Sequence, residues 1–91
     1  MARELHDHWF KEAKREGWRS RAIYKLIAID EKRGILRPGD LVLDCGCAPG
    51  SWLQYVVTRI GDRGKAVGID LLPMTPLPDH NVHVMEGDLR T

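Results

Sequence analysis

The stretch "LVLDCGCAPGSW", residues 41–52, decides how this chain is read. Leu41 to Asp44 is a short apolar run ending in a carboxylate, without the alternation of a half-solvated strand. It predicts a buried strand in a parallel sheet covered on both faces. Gly46, Ala48, Pro49 and Gly50 then make a tight turn. Trp52 opens a helix to Ile60, with Leu53, Val56, Val57 and Ile60 on the inward spacing. A carboxylate, a glycine turn and a large aromatic therefore gather at the mouth of one strand. In open α/β sheets, that carboxyl edge is where ligands bind.

Downstream the pattern repeats in kind. Lys65 to Asp70 (KAVGID) reads as a second strand, again closed by an acid. Pro73, Pro76 and Pro78 exclude regular structure from "LLPMTPLPDH", which is a loop. Val82 to Met85 reads as a third strand running into Gly87 and Asp88. Upstream, residues from Glu4 to Glu16 have helical composition, with Leu5, His8, Trp9 and Ala13 at helical spacings and Gly17 as a stop. Trp9 reads as a core residue. Ser20 is placed to cap a second helix carrying Ala22, Ile23, Leu26, Ile27 and Ile29, which Gly34 ends. Two helices, then strand, helix, strand, loop and strand, argue an open, mostly parallel α/β sheet.

The bulk numbers permit one domain with a core, since 43% of the 91 residues are hydrophobic and 30% are charged. The net charge of +1 says little, but its distribution says more. Residues 1–37 hold ten basic and six acidic residues, whereas residues 38–91 hold four and seven. A basic front and an acidic back suggest a polyanion-facing surface beside a pocket for something cationic. Solvated helix faces would give the same charge count. Cys45 and Cys47 alone make a poor zinc site, which needs four ligands. At i and i+2 on a strand they point to opposite faces, which disfavours a disulfide. Reduced thiols suit an intracellular, cytoplasmic protein. There is no apolar run of membrane-spanning length and no secretory signal before the first acids.

Asp44, Asp70 and Asp88 each stand at or just past a predicted strand end. One such acid would be an ordinary helix cap. Three in succession, with a Gly-x-x-x-Gly turn after the first, point to a ligand. The dinucleotide fingerprint is not met, because Gly46, Ala48 and Gly50 have a different spacing with Pro49 inside it. A pyrophosphate would be poorly served beside Asp44. An ammonium or sulfonium suits an acidic turn better, with Asp70 placed for a ribose and Asp88 for an adenine amino group. Those preferences describe S-adenosylmethionine (SAM).

"RSRAIYKL", "DCGCAPGSW", "DLLPM" and "EGD", in this order and at these separations, resemble the FtsJ (RrmJ) family of RNA ribose 2′-O-methyltransferases. With "DHWFKEAKREGWRSR" at the front, the likeness runs from about Asp7 to Asp88. It is nearest the bacterial-type enzymes that methylate a uridine of large-subunit ribosomal RNA. The resemblance implies the N-terminal half of a Rossmann-like, class I SAM-dependent methyltransferase fold. Residues 1–37 would be a basic, helical, RNA-facing segment and residues 38–91 a SAM-binding half-sheet. It assigns Asp44, Gly46, Gly50, Trp52, Asp70 and Asp88 to the cofactor, and Lys25 to the first place in a Lys-Asp-Lys-Glu catalytic set. Ribosomal RNA, or the large ribosomal subunit, would be the partner.

Departures from the family pattern are mild: Cys45 and Cys47 for leucine and alanine, Ser51 for a second glycine, Thr75 for an acid. The family's catalytic aspartate, second lysine and glutamate come later than Thr91, so a chain of these residues alone is expected to be inactive. A non-catalytic fragment that binds RNA or cofactor is the alternative. Lys11, Lys14, Arg15, Arg19 and Arg21 are candidate phosphate contacts. Trp18 and Tyr24 would either stack on bases or pack helix against helix. In the family's fold the strands lie in the order three, two, one, and the first then pairs with a fourth. The strand from Leu41 is therefore expected to be an open edge, so that the 91 residues alone would either self-associate through it or remain poorly folded.

Overall fold

In a computed structural model, which describes residue 8 and residues 11–88, the helical spacing upstream of the glycine turn becomes two helices. Helix α1 is described over residues 11–16 and α2 spans Ile23–Arg33. The expected start of this helix at Glu4, with Leu5 and Trp9, falls outside the described residues. Helix α2 buries Ile23 and Leu26 and ends at Gly34, whose N–H donates to the Asp30 carbonyl at 2.7 Å. Ser20 does not cap it. The flanking residue is Ala22, and the Ser20 hydroxyl instead meets the Ser51 hydroxyl at 2.6 Å, across two elements.

The remaining elements are β1 (Leu41–Cys45), α3 (Ser51–Ile60), β2 (Lys65–Asp70) and β3 (Val82–Glu86). The three strands are parallel, in the spatial order β1-β2-β3, so β1 is an edge as the family resemblance implied. Leu41 pairs with Lys65 and Cys45 with Ile69, while Asp70 pairs with Glu86. This register brings the carboxyl ends of all three strands to one edge.

Helix α3 packs on β1 and β2, and α2 packs on α3. Leu53, Val56 and Ile60 are buried on α3 and meet Ala66, Leu26, Leu36, Leu77 and Cys47 in one core. Val57 is only half-buried, on the shoulder of that face. The expectation that β1 is covered on both faces fails for the described residues. Val42 packs into the core, but Leu41 is 76% and Leu43 60% exposed. Side chains alternate between faces along a strand, and α3 covers only the face that Val42 shares with Ala66 and Gly68. The apolar run was the signature of a two-faced sheet, and one face of it is open here.

Asp30, on α2, is a buried acid that the periodicity passed over. Its carboxylate accepts from the Leu36 N–H at 2.9 Å and the Tyr55 hydroxyl at 2.7 Å, and faces Arg59 Nε at 3.1 Å. It thereby joins the end of α2 to α3. The Leu36 N–H, then the Tyr55 hydroxyl, hold its pKa below the usual aspartate value, with the Arg59 charge adding to them. Stability from this site is therefore full above the unfolded aspartate pKa of about 3.9 and is lost as pH falls through the lower folded value. Asp30→Asn is expected to melt several degrees below wild type at pH 7, with the gap narrowing as both are acidified towards pH 3. A gap that does not change with pH would show that the charge is not what matters.

Candidate functional site

The turn after β1 is shaped by backbone constraints that only glycine meets. Gly46 has φ 80°, in the left-handed region, and donates its N–H to the Ile69 carbonyl at 2.7 Å, tying the turn to the end of β2. Gly50, at φ 111°, leads into α3; a Cβ there would stand 2.7 Å from Met74 Cε and 3.0 Å from Arg19 Nη1. The proline loop and Arg19 thus close directly on the backbone of the turn. A second close approach lies beneath it. A Cβ on Gly68 would stand 2.7 Å from both Cys47 Sγ and Leu53 Cδ1, so the turn settles into a notch in β2. Cys47 is accordingly buried and its thiol pKa is raised, first by burial and then by the charge of Asp44, whereas Cys45 is exposed.

Asp70 spans the gap between turn and proline loop. One carboxylate oxygen accepts from the Ala48 N–H at 2.9 Å and the other from the Leu72 N–H at 2.9 Å. The Leu72 and Ala48 amides hold its pKa down, so it is a carboxylate at neutral pH. Asp44 is the opposite case. It is half-buried, and its Oδ2 is shut from solvent with no hydrogen-bond partner among the described residues. Burial, and then the charge of Asp70, push its pKa up. Two carboxylates of differing environment thus face one edge.

Two adjoining depressions divide these groups. One, of about 270 Å³, is lined by Asp44, Gly46, Ser51 and Trp52, with Ser20 and Ala22 from the front segment. The other, of about 210 Å³, is lined by Gly46, Ile69, Asp70, Leu71 and Asp88. Gly46 borders both. Trp52 is fixed by its Nε1 hydrogen bond to the Ala22 carbonyl, at 2.9 Å. Gly50 borders neither depression and faces Arg19 and Met74. A wider cleft of about 700 Å³, lined by Arg19, Pro49, Leu72, Pro73, Met74 and Thr75, is bordered by none of the acids. Lys25 is exposed on α2, one turn beyond Ala22.

The front segment departs from its sequence reading at Arg19, and at Trp18 it takes the packing alternative. The Arg19 guanidinium donates to the carbonyls of Pro49 (2.9 Å), Pro76 (3.1 Å) and Thr75, so it is a clamp between loops instead of an open phosphate contact. Arg15 is paired with Glu12. Trp18 packs edge-on against Tyr55, with ring centroids 6.5 Å apart, and donates to Glu16; helix packing claims it. Arg21 remains exposed. One of the closures was signalled in sequence. A glycine inside the strand KAVGID marks a close approach of another backbone. Nothing local marks Arg19, because its partners lie thirty or more residues away.

A parallel half-sheet with acids and a glycine turn at its carboxyl edge is the architecture of the doubly wound α/β class, which binds ligands at that edge. Within that class the chain belongs to the FtsJ-like methyltransferase family, whose sequence model matches residues 18–91. It is 49% identical over 82 residues to "Ribosomal RNA large subunit methyltransferase E" of Alkalilimnicola ehrlichii, a match covering 90% of this chain and 38% of that protein. It is 51% identical over 90 residues to the protein of the same name from Halorhodospira halophila, covering 99% and 42%. A crystal structure described as a ribosomal RNA methyltransferase from Plasmodium falciparum superposes with a TM-score of 0.72 at 42% identity, covering 79% of this chain and 39% of that one. The chain thus spans about two fifths of the length of these relatives.

Proposed function

We propose that this chain is the cofactor-holding, N-terminal part of a SAM-dependent methyltransferase acting on the ribose 2′-hydroxyl of large-subunit ribosomal RNA. The observation that carries the cofactor assignment is the orphaned Oδ2 of Asp44. A buried carboxylate oxygen without a donor is unfavourable unless a ligand supplies one. The ammonium of an amino acid is such a donor, and a pyrophosphate is not. Asp70 also fits, since each of its oxygens has one backbone donor and a lone pair left for a ribose hydroxyl. Asp44, Gly46 and Trp52 would hold the amino acid end, Asp70 the ribose and Asp88 the adenine.

When bound, the cofactor supplies an activated methyl group. What remains for the protein is alignment of the hydroxyl and removal of its proton. Lys25 is our candidate for orienting the RNA hydroxyl, from a helix adjoining the first depression. Lys25 is exposed, and by itself would position the hydroxyl through its ammonium donors. The exposed charge of Arg21 would contact phosphates on the same side. The relatives' names and the basic front segment support RNA as the substrate, and no helix among the described residues is long and apolar enough to cross a membrane.

Calorimetry on the protein with S-adenosylhomocysteine and with NAD tests the reading. The first ligand is expected to bind at least about tenfold more tightly, a difference of ~1.4 kcal/mol. Its affinity should fall as pH drops through the raised pKa of Asp44, because an ammonium needs the charged carboxylate. Equal affinities, or tighter binding of NAD, would reject the assignment.

A further inference from the structure

The residues that join the front segment to the ligand edge form one continuous set. The Arg19 guanidinium reaches Pro49 in the glycine turn and Thr75 and Pro76 in the proline loop. Its backbone N–H donates to Gln54 Oε1 on α3 at 2.7 Å, and Gln54 Nε2 returns a bond to the Gly17 carbonyl at 3.2 Å. Ser20 meets Ser51, and Trp52 meets the Ala22 carbonyl. Residues 17–22 are thus stitched to the turn, to the loop and to the first turn of α3. Gly50 has no side chain where Arg19 and Met74 press closest.

We propose that Arg19 is a positioning residue for the cofactor: its guanidinium locks the 46–50 turn and the proline loop in the geometry that binds it. The inference rests on the reading of Asp44 and Asp70 as cofactor acids. Arg19 itself lines neither of the depressions that hold those acids. It acts through backbone carbonyls, namely that of Pro49 next to Ala48, whose N–H is held by Asp70, and those of Thr75 and Pro76 a few residues beyond Leu72, whose N–H is held by the same carboxylate. Arg19 and Asp70 therefore cross-brace the same two loops from different points. A guanidinium presents several donors in a fixed plane, which lets it serve three carbonyls at once. A lysine ammonium keeps the charge but has no such fork. The segment that carries Arg21 and leads to Lys25 is thereby coupled to the ligand edge, and coupling of this kind is reciprocal.

The test is calorimetry of S-adenosylhomocysteine binding to the protein and to Arg19→Lys, with Lys32→Gln at the far end of α2 as a control for charge. Arg19→Lys is expected to weaken binding roughly tenfold, as for loss of a set of charge-assisted hydrogen bonds. Lys32→Gln should leave it unchanged. Hydrogen exchange without ligand should be faster at Ala48 and Leu72 in Arg19→Lys, while the core of α3 stays protected. Where Arg19→Lys does not fold, Gln54→Leu releases the same segment from α3 and should also weaken binding. Unaltered affinity in either folded variant, beside measurable wild-type binding, would overturn the inference alone. Absence of binding by the wild-type protein would overturn the cofactor reading, and this inference with it.

Discussion

Asp70→Ala is expected to lower the protein's affinity for S-adenosylhomocysteine by tenfold or more, roughly the effect of leaving buried hydrogen-bonding groups unpaired. Two losses combine in this variant. The ligand hydroxyls assigned to Asp70 lose their acceptor, and the Ala48 and Leu72 N–H groups lose theirs. The second loss loosens the turn and the proline loop together. Asp70→Asn separates the two effects. Its single amide oxygen can keep one backbone bond but not both, and its nitrogen cannot accept. It should therefore retain more of the fold than Asp70→Ala while still binding weakly. Removal of Asp70 also removes the charge that raises Asp44, so the pH at which residual binding fails should move down. Calorimetry across a pH series reads both results. An Asp70→Ala protein that binds as wild type would refute the placement of the ribose.

The second large effect concerns residues 1–91 taken alone. They are expected to sediment as dimers or larger species at micromolar concentration. Strand β1 has β2 on one side only, and its outward face presents Leu41 at 76% and Leu43 at 60% exposure, with Met85 on β3 also exposed. An edge with unpaired backbone groups and apolar side chains is a template for another strand, and no charge precedes Asp44 in β1 to deter it. Replacing both leucines, Leu41→Lys and Leu43→Lys, should restore a monomer, since lysine blunts an edge and removes the apolar patch. A wild-type segment that is monomeric and unfolds cooperatively would reject the prediction. So would a double-lysine variant that associates as strongly.

Much of this molecule was legible in its residues because the signals are local. Periodicity placed α2, α3 and the strands to within a residue or two. Acids at strand ends, with glycines after the first, singled out one edge of the sheet, and the strands do bring those residues together there, since parallel strands joined by a crossover must bring their carboxyl ends to one side. The order β1-β2-β3 followed from the family resemblance, not from spacing. What tertiary structure alone decided are the partners of side chains far apart in the chain. Ser20 looked like a helix cap and bonds to Ser51. Arg19 looked like a phosphate contact and braces three carbonyls. Asp30, which nothing local singled out, is buried among Leu36, Tyr55 and Arg59. A short run of apolar residues tells which strand is buried but not how many of its faces a helix covers, and Leu41 and Leu43 show the difference. Composition and spacing report each residue's preferences; only the packed fold determines which preferences are met, and by whom.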